Sequence, residues 1–157
     1  MEITETLKSD HEELKGLLSK MTHGNSATDT KQSALKDFKA LLKAHSEAEE
    51  KIVYDALIKE SDEEAEKMAC EGYTEHEVAD YVLGKLTGEG KILEKLTSNG
   101  DPDSPQWKAQ AKVLKELVEH HIEEEEDEIF AKLRSEFDKS KREEMGQRFE
   151  ELRDKKK

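Results

Sequence analysis

The chain is 157 residues long, with 41% charged and 33% hydrophobic residues and a formal net charge of −13. Such an acidic balance speaks against nucleic acid and anionic membranes as partners, since both need a basic surface. The single cysteine, Cys70, rules out an internal disulfide, and no apolar run is long enough for a signal peptide or a membrane span, so a cytoplasmic location is expected.

The length suits about one domain, and few aromatics with two prolines suit long helices that bury one stripe each. Leu7, His11, Leu14 and Leu18 recur at helical spacing and predict a first helix from about Thr4 to Met21. His23 to Thr30, HGNSATDT, carries glycine, asparagine and capping residues and reads as the first connection, with His23 in solvent. A second helix, roughly Lys31 to Glu60 and on the order of 45 Å long, turns Leu35, Phe38, Leu41, Leu42, His45, Glu49, Ile52, Val53 and Ala56 inward. Ser61 and Asp62 cap a third, whose pattern runs from Glu63 to Leu96 with a kink or break expected near Gly72. Its inner face holds Tyr73, His76, Ala79, Leu83, Leu86 and Leu93, with Asp80 at the edge. SNGDPDSP, Ser98 to Pro105, is the clearest loop. The fourth helix, about Gln106 to Arg134, presents Trp107, Leu114, Leu117, Val118, His121, Glu125, Ile129 and Leu133. Phe137 to Lys157 is charged and predicts a short fifth helix with a frayed lysine end. The expected fold is all-α: an antiparallel up-down four-helix bundle over residues 1–135 with a short C-terminal extra helix over 136–157.

Two of these helices carry nearly the same text. AHSEAEEKIVYDAL, from Ala44, and HIEEEEDEIFAKL, from His121, align so that His45 matches His121, Glu49 matches Glu125, Glu50 matches Glu126 and Tyr54 matches Phe130. A histidine and a glutamate four residues apart share a helix face, and here that face is apolar on both sides. His120 with Glu124 is an alternative pair one register away, but only His121 with Glu125 has Leu114, Leu117 and Val118 behind it. His11 and His76 add one inward imidazole each from the other two helices. Polar groups at core positions are costly unless something pairs with them, and a metal is the economical partner. Four imidazoles and two carboxylates suit iron, manganese or zinc, whereas calcium and magnesium prefer all-oxygen shells. Glu-x-x-His, as in ferritin-like carboxylate bundles, is absent, because Lys8, Leu42, Tyr73 and Val118 precede the histidines by three.

His11 in DHEEL, His45-x-x-x-Glu49, His76 in EHE and His121-x-x-x-Glu125, in this order and one set per helix, resemble the hemerythrin-like HHE cation-binding domains from Leu7 to about Leu133. The resemblance implies two iron ions in an oxo- or hydroxo-bridged centre, with His11, His45, His76 and His121 as terminal ligands and Glu49 and Glu125 as bridges. The oxygen carriers of that family have a second histidine where this chain has Asp80, and His-x-x-x-x-Asp in helix four, which counts against reversible oxygen carriage. The four-histidine, two-glutamate set is most similar to the di-iron domain of iron–sulfur cluster repair proteins. The implied role is binding of oxygen, nitric oxide or iron itself; the alternative is a di-iron enzyme acting on peroxide, nitric oxide or ferrous iron. Tyr54 and Tyr73 are candidates for supporting roles, although Tyr54 lies about half a turn off the inner face and is expected to pack at a helix interface.

Overall fold

A computed structural model of the chain describes residues 1–90 and 93–156. The described residues form helices and hold no strand. Helix α1 spans Ile3–Thr22 and α2 spans Thr28–Glu49; one turn of π-helix, Glu50–Tyr54, carries α2 without a break into α3, Asp55–Glu60. After α4, Glu63–Thr87, the same construction recurs as α5, Pro105–Glu124, a π-turn over Glu125–Ile129, and α6, Phe130–Glu136. Helix α7 follows over Lys139–Asp154.

Side-chain pairs set the directions of these rods. Asp62 meets Lys132 while Glu75 meets His121, so α4 runs against α5 and α6. Lys39 meets Glu89, Glu50 meets His76 and Tyr73 meets Asp55, so α4 also runs against α2 and α3. Arg134 reaches Thr4 while Glu126 reaches His11, so α1 opposes α5 and α6. An antiparallel bundle is the result, with α7 laid across α1 and α2.

The core is split. One apolar cluster gathers Leu14, Leu18, Phe38, Leu83, Trp107 and Leu114 near one end; another gathers Ile3, Leu7, Val53, Leu57, Phe130 and Phe149 near the other. Between them lies a layer of buried polar side chains: His11, His45, Glu49, His76, His121 and Glu125. Both clusters exclude water from that layer, which strengthens every electrostatic interaction inside it.

Four expectations from the sequence are corrected. Helix α4 ends at Thr87 instead of Leu96, because Gly88 takes a left-handed φ of 75° and its N–H closes on the Gly84 carbonyl. Leu93 is therefore not on an inner face but 62% exposed, and Lys91 and Ile92 of the expected helix lie outside the described residues, as does Lys157 of the expected tail. No break occurs at Gly72, where α4 runs straight through. The glycine is a notch instead: a Cβ there would overlap the ring of Tyr54. Finally, the π-turn moves the inner stripe of the second rod, so that Leu57 is fully buried and Ala56 only half-buried.

Gly72→Ala should accordingly destabilise the fold by about 1–3 kcal/mol through overpacking. Urea unfolding would read this as a lower midpoint at unchanged slope. In a double-mutant cycle with Tyr54→Leu, most of the loss should disappear.

Candidate metal centre

Every residue of the polar layer comes from the middle of a rod, where the backbone is held by packing on both sides. His11 sits on α1, His45 and Glu49 on α2, His76 on α4, His121 on α5 and Glu125 at the first position of the second π-turn. The structure brings all six together. His121 points inward and is 8% exposed, whereas His120 lies on the surface, paired with Glu124 at 2.9 Å. Asp80 is exposed one turn beyond His76 and is not part of the cluster.

Each imidazole is anchored through Nδ1 by a carboxylate from another rod. His11 Nδ1 lies 3.1 Å from Glu126, His45 Nδ1 3.1 Å from Asp10, His76 Nδ1 2.9 Å from Glu50 and His121 Nδ1 3.1 Å from Glu75. A neutral ring that donates Nδ1–H outward to its carboxylate keeps its lone pair on Nε2, the state a metal ligand requires. All four Nε2 atoms face Glu49 and Glu125. His11 Nε2 is 3.3 Å from Glu125 Oε2, and His121 Nε2 is 3.2 Å from Glu125 Oε1. His45 Nε2 and His76 Nε2 lie 3.5 Å and 3.4 Å from Glu49 Oε2.

Two groupings emerge with ligand atoms within 4.8 Å of one another: Glu49, His76, His121 and Glu125, and His11, His45 and Glu125. Their chemistry fits a pair of cations. His11 Nε2, both oxygens of Glu49 and Oε2 of Glu125 are buried without a hydrogen-bond partner, and such orphans are expensive unless a charge satisfies them. His76 Nε2 faces His121 Nε2 at 3.1 Å. Two lone pairs at that separation repel, so a cation or a proton must lie between them.

Charge in the layer is strongly coupled. Burial alone would lower His45, but Glu49 and Asp10 outweigh it and bring it up to about 9. Burial is likewise overcome at His121, which Glu125 and Glu75 hold well above the ordinary histidine range. Against its own burial, Glu125 is kept well below the usual carboxylate range by His121 and His11.

The sequence pattern pointed to the six central residues but not to their supports. Asp10 and Glu75 each precede an inward histidine by one position, and Glu50 and Glu126 each follow an inward glutamate by one, so the same spacing in both halves of the chain was a signal. Tyr54 is a correction. It packs at the interface with α4, against Gly72, but on the inner face and not half a turn off it: it is fully buried, its hydroxyl donates to Glu125, and its ring lies 5.5 Å from that of His76. The cause is the π-turn, whose i→i+5 bond from Asp55 N–H to the Glu50 carbonyl brings the fifth residue after Glu49 back onto the inner face. Burial and the nearby charges of Glu125 and Glu49 push the Tyr54 phenol well above its ordinary value, so it stays protonated. Tyr73 supports from outside, donating to Asp55 at 3.1 Å. Arg153 of α7 holds the far oxygen of Asp10 at 2.6 Å, a contact with no local signature in the sequence.

An all-helical bundle with one histidine on each of four rods and two carboxylates between them defines a class of metal-binding protein. A family model described as the hemerythrin HHE cation binding domain matches residues 2–133, and the chain belongs to that family. A search of curated proteins and a search of solved structures each found no match.

For metal-free protein, the sign of the pH dependence follows from these pairings. A histidine raised to about 9 in the fold contributes stability that is complete below its unfolded value and is lost as pH rises through about 9. A carboxylate lowered in the fold, such as Glu125, contributes stability present above its unfolded value and lost as pH falls. Thermal melts of chelator-treated protein should therefore show Tm falling between about pH 6.5 and pH 10. A flat Tm across that window would mean that His45 is not paired.

Proposed function

We propose that this protein binds two iron ions within the bundle and uses them to take up a small molecule such as dioxygen or nitric oxide, or to hold iron itself, in the cytoplasm. One observation carries the reading: four imidazoles, each fixed through Nδ1 by its own carboxylate, turn Nε2 toward Glu49 and Glu125, three of whose four oxygens are buried with no hydrogen-bond partner. His11 and His45 would hold one ion and His76 and His121 the other, with Glu49 and Glu125 bridging. Bound iron would supply open coordination positions for an exogenous ligand together with one-electron chemistry. The protein's own part is to orient the rings, exclude water and hold a proton at the Tyr54 hydroxyl. Residues 1–135 form the metal-binding bundle in this reading, and 136–157 an added helix that braces it.

Protein expressed in iron-rich medium should carry about two iron ions per chain, with manganese and zinc well below that. A cation bound only by the folded state, at about a hundredfold excess over its Kd, should raise Tm by roughly 5–10 °C over metal-free protein. In the double variant Glu49→Ala with Glu125→Ala, iron should drop below about one per chain. Iron near zero in the parent protein, with no shift in Tm on adding ferrous ion, would end the reading.

A second reading, an enzyme reducing peroxide or nitric oxide or oxidising ferrous iron, is favoured by one feature. The Tyr54 hydroxyl is a protonated donor held against Glu125 in the dry layer. Such a group would hold a proton beside the residues that would take the iron, where reduction of peroxide or nitric oxide consumes protons. Tyr54→Phe should then lower hydrogen peroxide turnover by roughly 100-fold, at the lower end of general-acid effects, with iron content unchanged. Turnover that survives either this change or His45→Ala would rule out this chemistry.

A further inference from the structure

We infer that uncharged small molecules reach this centre at one half only, the half formed by His76 and His121, through a cleft between α2 and α4. This inference rests on the metal-binding reading above and adds to it a route, a side and a charge class of ligand.

The two halves offer the same ligand types but not the same access. Each has two imidazoles, with Glu125 between the halves. His11 and His45 are 0% and 2% exposed, whereas His76 and His121 are 9% and 8% exposed. Aromatic rings cover the first pair. Phe130 stacks on His11 with centroids 6.0 Å apart, and Phe149 of α7 stands edge-on to His45 at 5.5 Å. Arg134 and Arg153 lie over the faces of those two phenylalanines, closing that side with charged groups whose stems pack on the rings.

The other half opens outward. A cleft of about 410 Å³ between α2 and α4 has Leu42, Ser46 and Leu83 in its lining together with His76 and its anchor Glu50. That volume admits molecules of a few atoms with room to spare. A smaller hollow of about 20 Å³, lined by Tyr54 and His121 among others, lies on this half as well and puts the phenol on the open side.

Charge at the mouth selects among candidates. The cleft wall carries Glu47, Glu50, Glu77, Asp80 and Glu89 against Lys39 and Lys43, and Lys39 is already paired with Glu89. Carboxylates therefore outnumber cations around this cleft on a protein of net charge −13. Small anions are repelled there, and uncharged molecules such as nitric oxide, dioxygen or hydrogen peroxide are not.

Stopped-flow mixing of the iron-loaded protein with nitric oxide, and separately with azide, tests this. Ser46→Trp and, as a second blocking position on the surface, Asp80→Trp should slow nitric oxide association by about tenfold or more, whereas Gln147→Trp at an exposed position of α7 on the opposite side should leave it unchanged. The nitric oxide rate should be insensitive to salt, and the azide rate should rise with ionic strength as the carboxylates are screened. Iron content and circular dichroism are measured on every variant, so loss of metal or fold is separated from loss of access. Failure of the parent protein to hold iron would overturn the metal-binding reading. Full iron content with unchanged rates in Ser46→Trp and Asp80→Trp, or an equal slowing in Gln147→Trp, would overturn the one-sided route alone.

Discussion

The four hydrogen bonds between imidazole Nδ1 and carboxylate close on themselves. Asp10 of α1 holds His45 of α2; Glu50, just past α2, holds His76 of α4; Glu75 of α4 holds His121 of α5; and Glu126, just past α5, holds His11 of α1. Every rod gives a carboxylate to one neighbour and receives one from the other, so each ring is oriented by an adjacent rod and all four are oriented together only when every rod is in place. Hydrogen bonds to charged groups contribute about 1.5–3 kcal/mol each, but the desolvation of so many ionisable groups offsets a comparable amount. The cycle is better understood as a device for aiming Nε2 atoms than as a source of net stability.

The cycle also has an internal two-fold character that mirrors the repeat in the sequence. Asp10 is to His45 as Glu75 is to His121, and Glu50 is to His76 as Glu126 is to His11. Both halves insert a π-turn directly at or after the central glutamate. In each, the residue five positions beyond that glutamate returns to the interior. In one half it is Tyr54, beside His76, and in the other it is Phe130, stacked on His11. A single hydroxyl thus makes one half able to donate a proton and leaves the other apolar. Gly72 is the complement of that difference, since only a residue without a side chain lets α4 pass over the phenol.

Helical period and burial cost were enough to locate the rods and to gather His11, His45, Glu49, His76, His121 and Glu125 as one inward set. Those six lie where a regular helix would put them, because His11 and His76 sit on rods of regular α-helix, and the other four precede the π-turn of their rod or sit at its start. Beyond the turn the period of 3.6 no longer applies, and that is where Tyr54 and Ala56 were assigned to the wrong faces. Leu93 failed for a different reason. Its spacing continued the α4 stripe, but the positive φ at Gly88 ended the helix first, and a repeat of apolar residues carries no record of where the backbone stops. Arg153 was out of reach altogether, since its partner Asp10 lies 143 residues away in the chain.

That long-range contact gives the C-terminal helix its meaning. Helix α7 lies beyond the residues matched by the family model, yet it is not merely attached to the bundle. Gly146 lets it press against the backbone of Met1 and Glu2, Arg142 binds Glu2 at 2.7 Å, and Phe149 is fully buried. These contacts fix the start of α1, while Arg153 holds Asp10 in the position from which it anchors His45. Because Asp10 can accept from both at once through different oxygens, the arginine neutralises a buried carboxylate without competing for the oxygen that the imidazole uses. A repeat of two equivalent halves has no reason in itself to favour one side. The added helix covers His45 with an aromatic ring and braces its anchor Asp10 with an arginine, so the asymmetry that Tyr54 and Phe130 begin within the rods is completed from outside them.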